Sequence, residues 1–112
     1  MKPTIGRLVI FKITEEMAQQ INRRRTTGAS IAKRLSLLPT ADWPAGAQAH
    51  IGNTVSAGEE YPLVVVRVWP DEFGSGVPGV NGQVILDGND CLWVTSVGEG
   101  PNAGQWHWPE RV

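Results

Sequence analysis

The sequence has almost none of the residues that build disulfides and metal sites. Its 112 residues include one cysteine, Cys91, and two histidines, His50 and His107. A single cysteine cannot form a disulfide within the chain, and the two histidines lack the ligand spacing of a zinc site. The composition therefore predicts a domain of a reducing compartment that uses no metal and no cofactor.

Long apolar runs and a secretory leader are also missing. The longest apolar run, residues 62–66, has the length of a strand and falls far short of the ~20 residues that cross a bilayer. The opening residues lack the apolar core of a signal peptide. We therefore expect a cytosolic protein without a membrane partner.

Motifs for catalysis are weak or incomplete. The segment Gly74–Gly79 matches G-x-G-x-x-G, but it contains Pro78 and does not open a helix, so it is typical of a flexible loop. The candidate nucleophiles Ser30, Ser96 and Cys91 have no partnered base nearby in the sequence. The sequence therefore predicts no catalytic residues and a protein that is not an enzyme.

Charge, although nearly balanced overall, is segregated along the chain. Residues 1–38 carry eight Lys/Arg against two Glu, for +6, and residues 39–112 carry two Arg against nine Asp/Glu, for −7. Arg23, Arg24 and Arg25 are the densest part of the basic segment. They could bind phosphate, form a solvated helix end stabilised by the helix dipole, or pair with the acidic part of the same chain or of a second subunit.

Hydropathy patterns predict five or six short strands. Alternating β-branched and aromatic residues indicate strands at 5–13, 61–69, 82–86, 91–97 and 105–109, with a shorter one at 49–53. The turn Asp87–Asp90 predicts a hairpin, because Gly88 and Asn89 tolerate the positive φ of tight turns.

A helical excursion interrupts this β pattern. Thr14 is a candidate N-cap, and helical spacing follows it until Gly28, where the first helix is expected to stop. A second helix is expected over Ser30–Leu38. We expect one domain, 1–112, of mostly β (α+β) class: a small SH3-like antiparallel barrel, closed or nearly closed, with 15–38 as a helical insertion after the first strand.

Tryptophan is the most abundant aromatic residue, and its five copies exceed what so small a core readily buries. Strict alternation places Trp69 on one strand face with Arg67, Val65 and Leu63. It likewise places Trp93 with Cys91, Thr95 and Val97. Either most of the indoles form the core and its lid, or some form an aromatic shelf beside Arg67 that stacks a base or a peptide. The five indoles are Trp43, Trp69, Trp93, Trp106 and Trp108.

Several segments resemble one group of viral proteins. They are KPTIGR (2–7), INRRR (21–25), AGAQAHIGN (45–53), VNGQV (80–84), LDGND (86–90) and WHWPERV (106–112). Together they are similar to small accessory proteins encoded by tailed bacteriophages and prophages. The resemblance implies a viral accessory protein of the bacterial host cytoplasm, or a minor virion component, and it brings no catalytic residues.

The combined interpretation is a binding protein that captures a small, nucleotide-like anionic ligand or a host factor, with counter-defence as one form of this role. Arginines would neutralise phosphate and indoles would stack the base. A homo-oligomer is expected, because one small barrel does not enclose a nucleotide. The alternatives are a virion assembly protein and a weak nucleic-acid binder. The ligand-binding candidates are Arg23, Arg24, Arg25, Arg67, Trp69, Trp93, Trp106 and Trp108.

Overall fold

The structure, a computed structural model, describes residues 2–35, 52–70 and 79–110, with the backbone alone over 26–35. Trp43, His50 and most of the Gly74–Gly79 motif and of the predicted strand 49–53 lie outside the described residues. The elements are β1 Leu8–Lys12, α1 Glu15–Leu35, β2 Glu60–Val68, β3 Val80–Ile85, β4 Cys91–Val97 and β5 Trp106–His107.

The five strands form one antiparallel sheet in the order β4-β3-β2-β1-β5. This confirms the predicted mostly-β class with a helix after the first strand. The sheet is open, with β4 and β5 at its two edges. A single parallel bridge between Glu99 and Trp106 connects the segment after β4 to β5.

One face of the sheet and α1 enclose the core. Val9 and Phe11 of β1 are fully buried, and Ala18 and Ile21 place one side of α1 against the same cluster. Their burial follows from the period of two in strands and the spacing of three to four in helices. Ile5, which the predicted strand 5–13 includes, instead lies in the turn before β1 and is 74% exposed.

Helix α1 is one continuous helix rather than two. Thr14 caps it as predicted, with its Oγ1 accepting a hydrogen bond from the Met17 N–H at 3.1 Å. The predicted stop at Gly28 is wrong, because a helical glycine costs about 1 kcal/mol against alanine without breaking the backbone hydrogen bonds. In the described part of the chain, no helix combines the length and hydropathy of a membrane span.

Two β-bulges shift which side chains face the core. One extra residue, Val66, separates Val65 and Arg67 of β2 against β3, and a second bulge falls in β4 opposite Asn81. A bulge reverses the alternation beyond it. Arg67 therefore lies on the face opposite Val65, and Val97 of β4 is buried, contrary to the faces predicted by strict alternation.

The predicted hairpin between β3 and β4 is present, but its turn differs from the expected one. Its five-residue connection, 86–90, contains no residue with positive φ, so Gly88 and Asn89 are not required for that reason. The non-glycine residue with positive φ in the described chain is Ser96, at 53°, in the bulge of β4.

Candidate functional site

The sheet face opposite the core, named here the outer face, exposes large apolar side chains. Neighbours in register across it are Leu8, Val64, Gln83 and Trp93, one from each of β1 to β4. Such concentrations of exposed apolar surface mark interaction sites more often than chance. The exposed large apolar side chains on this face are Leu8, Val66, Trp69, Ile85 and Trp93, at 38–50% exposure.

Arg67, Trp69 and Asn81 form a fixed cluster at one end of the outer face. The Arg67 guanidinium lies over the Trp69 ring, 4.6 Å from its centroid. The Trp69 Nε1–H donates to the Asn81 Oδ1 at 2.9 Å, and the Ser96 N–H donates to the same oxygen at 2.7 Å. Asn81 thereby satisfies a backbone N–H in the β4 bulge and holds the indole in place. Among the described residues, Arg67 has no carboxylate within ion-pair distance.

Trp93 projects from the same face as this cluster. It is half exposed and pairs with Gln83, two residues from Asn81, which pairs with Arg67. A strand spacing of ~4.8 Å and a rise of ~3.3 Å per residue place the Cα atoms of Trp93 and Arg67 roughly 12 Å apart. The bulge in β2 therefore places Arg67 on the same face as Trp93. Strict alternation within each strand does not predict that these two candidate site residues share a face.

The three consecutive arginines have three different environments. Arg25 is 7% exposed, and its Nε and Nη2 donate to the two oxygens of Asp90 at 3.2 and 2.8 Å; its Nη1 donates to the Asn53 carbonyl. Arg24 is half exposed and reaches the same carboxylate at 3.0 Å. Arg23 is exposed, and no ion pair of the described residues involves it. Arg24 and Arg25 thus pair with the acidic hairpin of their own chain.

The environment of Asp90 shows which force dominates this contact. Burial alone raises the pKa of Asp90, but the hydrogen bonds from Arg25 and Arg24 outweigh it and leave the pKa below its ordinary value. The arrangement is a buried structural ion pair. Each guanidinium nitrogen of Arg25 therefore already donates a hydrogen bond within the chain.

Trp106 and Trp108 make contact with each other, but away from the outer face. Trp106 is fully buried in the core and has no surface to offer a ligand, which corrects its predicted stacking role. Its ring meets that of Trp108 edge-to-face at 5.2 Å, and Arg7 lies over Trp108 at 5.2 Å. Trp106 and Trp108 thus belong to the core and its lid, whereas Trp69 and Trp93 are exposed on the outer face, so the described indoles divide between the two alternatives.

His107 is held by acceptors on both sides of its ring. Its Nδ1 lies 3.0 Å from the Trp108 carbonyl, and its Nε2 contacts the Glu60 carboxylate. Because only the imidazolium donates from both nitrogens, this geometry favours the protonated form. The hydrogen bond to Glu60 is the main reason that the pKa of His107 is raised above 6.5.

We expect this ion pair to make stability fall as the pH rises. A folded-state pKa above the unfolded value stabilises fully below about pH 6.5, and this stabilisation is lost as the pH rises through the folded-state pKa. Both side chains are more than one third exposed, so the effect should be about 0.5 kcal/mol. Urea denaturation at pH 5.5 and 8.5 measures it. Glu60→Gln is the control, because it removes the pH dependence that comes from this pair and keeps any that comes from His50. An equal pH dependence in that variant would contradict the assignment.

Sequence patterns single out neither Asn81 nor the pair between Glu60 and His107. Asn81 lies just before the predicted strand 82–86, and strand register is needed to bring residues 60 and 107 together. Cys91 is an exposed free thiol on the outer face. The described residues contain no group of three or more His, Cys, Asp or Glu arranged to hold a metal ion.

No protein-family model matches the chain, and no match was found among curated proteins or solved structures.

Proposed function

We propose that this protein is a binding module whose outer face recognises another protein. The observation that carries the proposal is the concentration of exposed apolar side chains on one sheet face, beside Arg67, which forms no ion pair with any described residue. Tryptophan and arginine are enriched among the residues that dominate the energy of protein interfaces. An open sheet face with such residues suits a macromolecular surface better than an enclosed substrate.

The charges on this face indicate the chemistry of the partner. Arg67 lies at one end, over the Trp69 ring, and no carboxylate of the described residues pairs with its guanidinium. The acidic Glu60 at the other end is already paired with His107. The partner should therefore present apolar side chains with an acidic residue positioned to meet Arg67. The resemblance to phage proteins supports a host factor of the bacterial cytoplasm as that partner.

The proposal predicts that Trp93→Ala and Arg67→Glu weaken partner binding about 30-fold or more, the ~2 kcal/mol of an interface hot spot. Immobilised wild-type and variant proteins would be compared for the proteins they retain from a bacterial extract, with quantification by mass spectrometry. Gln20→Ala, on the exposed side of α1, is the matched control. Equal retention of every captured protein by Trp93→Ala would reject the outer face as the binding surface.

A second candidate is the capture of a nucleotide-like anion on the same face. It is favoured by the distance of roughly 12 Å between the Cα atoms of Arg67 and Trp93. This span lets Arg67 bind a phosphate while Trp93 stacks on the base of the same nucleotide. Native mass spectrometry with a nucleotide mixture distinguishes the two candidates and also reports whether the protein is a homo-oligomer. A bound nucleotide lost in Arg67→Ala supports capture, and the absence of any adduct rejects it.

The fold itself carries a narrower proposal. The strand order and the bridge between Glu99 and Trp106 support an incompletely closed barrel of SH3-like type.

A further inference from the structure

A pocket of about 370 Å³ lies where β1, β5 and the segment after β4 meet, away from Trp93 and Arg67. This volume falls within the range of small-molecule sites. It is lined by Lys12, Glu99, Gly100, Pro101 and His107.

Hydrogen bonds fix the loop that forms one wall of the pocket. The Gly100 N–H donates to the Trp106 carbonyl at 2.9 Å, and the Gly104 N–H donates to the Lys12 carbonyl at 2.8 Å. The Gln105 side chain accepts from the Asn102 N–H at 3.0 Å, inside the loop. Pre-formed walls of this kind reduce the ordering cost of binding a ligand.

Apart from His107, whose charge is paired with Glu60, the pocket offers two opposite charges that retain binding capacity. The Lys12 ammonium donates to the Pro101 carbonyl at 3.0 Å, and the described residues accept nothing from its other two donors. The Glu99 carboxylate is exposed and forms no ion pair with any described residue. His107, by contrast, has both ring nitrogens engaged, by Trp108 and Glu60, so it contributes a fixed wall.

We propose that this pocket binds a small zwitterion with a carboxylate close to an ammonium group, the chemistry of a free α-amino acid. The carboxylate accepts hydrogen bonds from Lys12, and the ammonium donates to Glu99. Multiply charged anions are disfavoured by Glu99, and simple cations by Lys12. The remainder of the ligand lies against Pro101 and the ring of His107.

The test is a titration of the ¹⁵N-labelled full-length protein with the twenty L-amino acids, followed by amide chemical shifts. We expect saturable changes at Gly100, Gly104 and His107 for at least one amino acid. Lys12→Met and Glu99→Gln should each weaken its dissociation constant about tenfold or more, the loss for one charge-assisted hydrogen bond. Lys2→Met, which removes an exposed cation outside the pocket, should bind normally.

Three results would overturn the proposal: no saturable change with any amino acid, unchanged affinity in both pocket variants, or acetate binding as tightly as the best amino acid. The last would indicate a plain carboxylate site. Trp93→Ala should leave amino-acid binding intact, so this proposal stands or fails separately from recognition of a partner by the outer face.

Discussion

Replacing Arg25 with methionine is expected to lower the free energy of unfolding by about 3 kcal/mol. Methionine keeps an apolar stem but removes all three of the guanidinium's contacts, to both oxygens of Asp90 and to the Asn53 carbonyl. Removing one member of a buried ion pair costs roughly 3–5 kcal/mol, because the other charge stays buried. The lower end applies here, because Asp90 is 18% exposed and keeps its contact with Arg24.

Urea denaturation at pH 7 measures this effect under suitable conditions. The lowered pKa of Asp90 means that its stabilising contribution is present above about pH 3.8 and is lost as the pH falls through the folded-state pKa. Arg24→Met is the matched control. It removes a half-exposed arginine from the same carboxylate and should cost less than about 1 kcal/mol. Equal losses for the two variants would show that burial of Arg25 is not what matters.

This result also bears on the predicted phosphate site. Arg25 cannot be tested as a ligand contact by mutation alone, because its loss weakens the fold. Arg23 is the informative position, since it is exposed and adjacent in sequence. Loss of anion binding in Arg23→Ala, without loss of stability, would support the hypothesis that the basic segment binds phosphate.

Gly82→Ala is expected to destabilise the protein by about 3 kcal/mol, the upper end for overpacking in a core. A Cβ at position 82 would lie 2.4 Å from the Val64 carbonyl oxygen and 2.6 Å from Leu63 Cδ2. The obstacle is backbone of the neighbouring strand, so β2 and β3 must separate to accommodate a methyl group.

Gly98→Ala is the control for the glycine effect, because a Cβ there meets no atom of the described residues within 4 Å. It should change stability by less than about 0.5 kcal/mol. Thermal denaturation of the two variants side by side makes the comparison. A Gly82→Ala protein as stable as Gly98→Ala would contradict the close approach of β2 and β3.

The sequence predicted most strands because alternation and turn residues are local signals. The bounds of β4 match its prediction, 91–97, and β1 lies within the predicted strand 5–13. The predicted faces of Arg67 and Val97 are wrong because β2 and β4 each contain one extra residue relative to β3. In β2 this residue is Val66, and in β4 it lies in the bulge opposite Asn81. A bulge has no reliable signature in the sequence of a single strand. The pairing register of β2 with β3 was therefore needed to place Arg67 on the outer face.

The same limit applies to the candidate site. The sequence identified Arg67, Trp69 and Trp93 as binding candidates by residue type, but not their common face. It also could not separate Arg25 from Arg23, because burial at the end of a helix depends on the hairpin that packs there. The charge segregation suggested such internal pairing as one alternative, and only the fold shows that Asp90 is the partner.

The most direct test of the outer face as a protein-binding surface is photo-crosslinking from Ile85, replaced by p-benzoylphenylalanine, in a bacterial cell. The same probe at Gln20 of α1 reports on a different surface. The account predicts one discrete intermolecular adduct from position 85, absent from position 20 and lost when Trp93→Ala is added. No adduct, an adduct only within the chain itself, or the same adduct from both positions would contradict it.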